Sequence, residues 1–187
     1  MEAYSPNLDA DLAAFAIGAL GGGLSPQVES LIQEAGLLRH LPAQALLLLE
    51  RARSAAPRHP APLIALYRFY FYAHRWSQAR AVGVDAMAIA RTVLGPDFGD
   101  WPPSDDAVRH DAAVRFYLFA LKGLAYLNLR LNDMDETRML LGELRRLDPQ
   151  DHVGGGLLSH VLKRYEKDAD PDAPSDYPVR GWSAPAP

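Results

Sequence analysis

There is no cysteine anywhere in these 187 residues, which excludes a disulfide framework, a thiol nucleophile and a thiolate metal site. A cationic surplus is missing too: 19 Lys and Arg stand against 23 Asp and Glu, for a net charge of −4. Nucleic-acid binders usually carry a clear basic excess, so this balance argues against such a partner. Long hydrophobic runs are also lacking. The most apolar stretch, LAAFAIGALGGGL at positions 12–24, is thirteen residues long and rich in glycine, too short to span a bilayer. It follows Glu2, Asp9 and Asp11 rather than lysine or arginine, which is not how a secretory signal starts. The expectation for 1–24 is an amphipathic helix ending in a glycine linker, in a cytoplasmic protein without a membrane partner.

Strand signals are scarce. Alternating β-branched runs do not occur, whereas Ala, Leu, Arg and Glu recur at three- and four-residue spacing, the period of an amphipathic helix. The spacing predicts helices over 25–38, 42–54, 61–73, 76–94, 104–131, 133–147 and 157–167. Ser25-Pro26 pairs an N-cap residue with a proline at the first helical position. Ser104 is followed by Asp105 and Asp106, acids placed where a helix N-terminus attracts negative charge. Asp133 and Glu136 have capping-box spacing. The fold class is all-α, in one domain over 25–167. Beyond it, DADPDAPSDYPVRGWSAPAP (168–187) is dominated by Pro, Asp and Ala and is expected to be a disordered tail.

Motifs for chemistry are absent as well. Gly21–Gly23 and Gly154–Gly156 follow no strand and lack the Gly-Lys-Ser/Thr ending of a phosphate loop, so helix boundaries are expected there. No Gly-x-Ser-x-Gly elbow occurs. The six histidines include no His-x-x-x-His pair; Asp106, His110 and Asp111 offer the one spacing suited to a weak metal site, with helix-start acids beside a surface histidine as the plainer account. The sequence therefore predicts no catalytic residues, no cofactor, no metal and no enzyme.

Instead, a periodicity stands out. A 34-residue frame begun at Pro60 puts Leu63, Leu66 and Tyr67 at positions 4, 7 and 8, Tyr70 at 11, Ala79 at 20, Gly83 at 24 and Ala86 at 27. The adjoining frame, 26–59, puts Ala45, Leu49, Ala52 and Pro57 at 20, 24, 27 and 32. A third, 118–151, carries Leu121, Leu124 and Ala125, then Leu141, Leu144 and Pro149, after an insertion over 94–117. Within it Thr137, Leu144 and Asn128 depart from the small or tyrosine residues of the pattern, and in the second frame Tyr67 occupies a position usually small. This spacing resembles the tetratricopeptide repeat, a helix–turn–helix unit.

The resemblance implies antiparallel helix pairs stacked as a short right-handed solenoid, capped by a helix at 157–167 with a polar outer side. It also implies a concave groove lined by the first helix of each repeat: Ala61, Ile64, Arg68, Phe71 and Tyr72 from the second, Phe119, Lys122, Tyr126, Leu129 and Arg130 from the third. Gln27, Ser30, Glu34, Leu37 and Leu38 come from the first. Such a groove would suit a protein or peptide with acidic and apolar side chains, bound by a non-catalytic adaptor or assembly chaperone. The carboxylate clamp of chaperone-binding members is not matched, since Ser30 and Glu34 stand where lysine and asparagine are required. Two alternatives stay open. The aromatics could be buried against neighbouring segments, or the chain could self-associate through its tail or through Phe98 and Trp101 of the insertion, a long loop of the kind that often contacts partners.

Overall fold

A computed structural model describes residues 23–169. Most of the expected N-terminal helix and linker, and the tail beyond 169, lie outside the described residues. Within them there are eight helices and no strand: α1 (Pro26–Leu37), α2 (Pro42–Ala55), α3 (Pro60–Tyr72), α4 (Trp76–Leu94), α5 (Asp105–His110), α6 (Ala112–Arg130), α7 (Met134–Leu147) and α8 (Gly156–Ala169). Their starts follow from side chains that satisfy orphaned N–H groups. Ser25 Oγ accepts from the Val28 N–H, Ser104 Oγ from Ala107 and the Asp133 carboxylate from Glu136. Proline opens α1, α2 and α3, where no N–H donor is needed. At α3 the cap is His59, whose Nδ1 accepts from the Ala61 N–H.

One expected helix is two. The continuous element predicted over 104–131 breaks at Asp111, whose backbone is extended (φ −77°, ψ 116°). Its N–H closes α5 on the Ala107 carbonyl, and its carboxylate accepts from Ala113 and Val114 to open α6. Aspartate competes with its own helix in this way because its short side chain reaches nearby N–H groups. That bond commits Asp111, and among the described residues no group of three His, Asp or Glu could hold a metal.

Consecutive long helices are joined by turns of three or four residues (38–41, 56–59, 73–75 and 131–133) and pack on one another: α1 on α2, α2 on α3, α3 on α4, α6 on α7. α4 packs on α6 across the insertion, and α8 packs on α7 and α6. The core holds Leu63, Leu66, Leu118, Leu121, Leu124, Leu127 and Leu147, all fully buried. The frame positions Ala45, Ala52, Ala79, Gly83, Ala86 and Ala125 are also buried. Asn128, in place of a tyrosine, is buried and satisfied: its amide donates to the Leu124 carbonyl at 2.9 Å and accepts from Arg80 at 3.0 Å. Arg80 also reaches Asp133, tying the α6–α7 turn to α4. The exposed side of α8 is mostly polar, with His160, Lys163, Arg164 and Glu166, though Leu157 and Tyr165 are exposed as well.

Tyr67 explains why two glycines stand inside helices. A Cβ at Gly123 would meet the Tyr67 hydroxyl at 2.9 Å, and one at Gly83 would meet Leu124 Cδ2 at 3.0 Å and the Tyr67 ring at 3.6 Å. The missing side chains on α4 and α6 make the seat for its ring. Gly123→Ala should therefore destabilise the protein by about 1 kcal/mol. In a Tyr67→Phe background the clash is gone, and alanine's better helix propensity should make the same change stabilising by up to about 1 kcal/mol. Denaturant titration of the four proteins reads that reversal of sign; equal effects in both backgrounds would show that Tyr67 does not fill this space.

Candidate functional site

The run LYRFYFY places five aromatic rings on α3, more than one helix face can bury. Leu66 and Tyr70 turn into the core, and the Tyr70 hydroxyl donates to Glu50 at 3.2 Å. Phe71 and Tyr72 are left toward the end of the helix with α6 alongside. Phe71 is the centre of a cluster: its ring lies 5.8 Å from Tyr67, 5.7 Å from Tyr72, 5.5 Å from Trp76 and 5.5 Å from Tyr126. Trp76, the first residue of α4, also packs edge-on against His74, and the Arg130 guanidinium lies 5.2 Å from the centre of its ring. Three elements thus supply one surface: the end of α3, the turn into α4 and the end of α6. His74 makes that turn possible by adopting φ 56°.

The surface grades from buried to open. Burial, then the neighbouring Tyr126 hydroxyl, holds the Tyr67 hydroxyl well above its ordinary pKa; it is a neutral wall at every physiological pH. Phe71, Trp76 and Tyr126 are half-buried, and Tyr72 is 68% exposed. Arg130 is exposed beside them, whereas Arg75, also exposed, lies close enough to Tyr70 to act on its hydroxyl. Half-buried rings next to a cation already oriented by an indole face are the kind of arrangement that can contact an apolar side chain beside a carboxylate.

Of the residues singled out from sequence, Phe71, Tyr72, Tyr126 and Arg130 come together here. Arg68 is half-buried on α3, one turn before Tyr72. Ile64 and Phe119 are half-buried on earlier turns of α3 and α6, with the Arg115 guanidinium 5.5 Å from the Phe119 ring centre. Leu129 is buried and faces no groove. Lys122 differs most from a groove cation: its ammonium donates to the Val153 carbonyl at 2.6 Å, and burial lowers its pKa against the pull of Asp151. It secures the connection between α7 and α8. Phe98 packs edge-on against Tyr117 at 5.1 Å, whereas Trp101 is 83% exposed, so the loop is braced through Phe98 and not through its tryptophan. Trp76 and His74 went unread in sequence; their signal was the aromatic run continuing past the helix end as AHRW.

Asp148 anchors the same connection from within. Its side chain is buried, accepting from the Val153 N–H at 2.9 Å and pairing with His152 Nδ1 at 2.8 Å, while His152 Nε2 reaches Asp105 of α5 at 3.1 Å. Burial works to raise the carboxyl's pKa, but the Val153 and His152 hydrogen bonds outweigh it and leave it below the ordinary value. A depressed folded pKa contributes stability above the unfolded value and loses it as pH falls through the folded one. Asp148→Asn should hence cost about 1–3 kcal/mol at neutral pH, with the gap to the parent closing in acid below roughly pH 4. Urea midpoints measured across that range would show a constant gap if the charge were irrelevant.

No family model matches the chain, and no solved structure matches it. A curated relative does: the uncharacterized 19.8 kDa protein in the nifW 5′ region of Azotobacter chroococcum mcd 1, 32% identical over 119 residues, 61% of this chain and 67% of the relative. The chain belongs to that protein's family. Among the described residues, no helix is long and apolar enough to cross a membrane.

Proposed function

We propose that this chain is a non-catalytic interaction protein of the tetratricopeptide-repeat type, acting in the cytoplasm as an adaptor or assembly chaperone. The observation that carries the reading is the Phe71-centred cluster with Arg130 stacked on Trp76, an aromatic surface partly open to solvent beside an arginine. In support of the repeat architecture, consecutive helices pair through short turns, and the small residues of the 34-residue frames lie at helix contacts. Its ligand is a segment of another protein that pairs a carboxylate with aromatic or aliphatic side chains. The rings supply rigid contact area at low entropic cost, and Arg130 selects the acid.

A display library of random peptides selected on the full chain should enrich sequences combining acids with apolar residues, and Arg130→Glu should lose them with its helicity unchanged. Enrichment of basic peptides, or full retention by the variant, would overturn the reading.

A further inference from the structure

We infer that the Trp101 loop of one copy of this chain is a ligand for the aromatic surface of another. Trp101 has the greatest exposure of the large hydrophobic residues among those described. Its loop is built to present it. Phe98 is seated on Tyr117, the Phe98 N–H bonds to Gly95 and the Asp100 N–H to Asp97. Gly99 takes φ 99° where a Cβ would stand 3.6 Å from Arg146 and 3.8 Å from Arg91. Pro102 and Pro103 restrict the chain directly behind the indole. Asp97 and Asp100 precede it in the loop, both exposed.

The loop therefore offers an indole preceded by two exposed carboxylates, and the aromatic surface offers Tyr72 and Trp76 with the Arg130 guanidinium over the Trp76 ring. The two match in charge, acids against a guanidinium, and both are held in place before they meet, which lowers the ordering cost of association. They cannot meet within one chain. Trp76 opens α4 and the loop leaves its far end, after 19 helical residues, about 28 Å away at 1.5 Å per residue. Phe98 on the early part of α6 and Arg130 at its end repeat that separation. The contact is thus between copies, head to tail, leaving one loop and one surface unused in every pair. Such a contact extends into a chain or closes into a ring.

The inference rests on the aromatic surface being a binding surface, and one experiment separates the two. Sedimentation velocity of the full chain over increasing concentration should show species larger than a dimer, shrinking as salt is raised. Trp101→Ala and Arg130→Glu, both at exposed positions, should each weaken association at least about tenfold. Mixed together they should form a heterodimer and nothing larger, because only the first retains a surface and only the second a loop. A parent that stays monomeric throughout, or single variants that assemble like the parent, overturns the inference. So does assembly that survives Trp101→Ala but is lost on removing 170–187, which would make the tail the occupant. If the parent is monomeric yet Arg130→Glu still loses acidic-apolar peptides, this inference falls and the proposed function stands.

Discussion

Replacing Leu124 by alanine should lower the unfolding free energy by about 3–5 kcal/mol, near the upper end for a leucine truncation. Leu124 is 2% exposed on the face of α6 that meets α4. Its Cδ2 lies 3.0 Å from where Gly83 would carry a Cβ, so the facing wall is backbone. No side chain at Gly83 can swing into the space left behind, and the cavity stays open. A 2–4 °C fall per kcal/mol is typical of domains this size, which puts the melting temperature about 10 °C lower. Leu157→Ala, at a position 70% exposed, should change stability by no more than about 0.5 kcal/mol. Parallel urea titrations would settle the matter: equal midpoint shifts for the two variants would mean that the α4–α6 seam is not the centre of the core.

Arg130→Glu should weaken binding of an acidic-apolar peptide by about a hundredfold while leaving the fold intact. Two effects act in the same direction. The guanidinium no longer lies over Trp76, and a carboxylate now faces the ligand's own acid, a repulsion that discriminates strongly at a partly desolvated contact. The stability cost is confined to an exposed cation–π contact, about 0.5–1 kcal/mol. Titration calorimetry at two salt concentrations would measure both the loss and its electrostatic share. Unchanged affinity with unchanged helicity would remove Arg130 from the interface and leave the aromatic rings without their selecting charge.

The fold was largely legible because helices announce themselves locally. Pro26, Pro42 and Pro60 each sit at a helix start that the sequence placed within one residue, since a missing N–H is tolerated only there. Asp111 was misread for an equally local reason. A mid-pattern aspartate flanked by Ala and His keeps the helical period intact, and only its backbone angles reveal that it closes one helix and opens the next. Of the surface, Phe71, Tyr72, Tyr126 and Arg130 were named through the repeat resemblance, which puts them on one helix face, and the structure brings them into one cluster. Lys122 was not: frame position set its direction of departure, but nothing in the sequence showed that the Val153 carbonyl would stand 2.6 Å from its ammonium.

What the sequence by itself determined is the run of helices, their short turns and the small residues where helices touch, all consequences of interactions within a few residues of each other. What only the tertiary structure decided is which apolar groups remain in water. Trp76 and Trp101 sit in similar polar surroundings in the sequence, yet one is half-buried in a five-ring cluster and the other is almost fully exposed. That difference depends on α6 lying alongside α3 and α4, contacts between residues 50 and 55 positions apart. Periodicity reports which way a side chain leaves its helix; only the packed neighbours decide what it meets there.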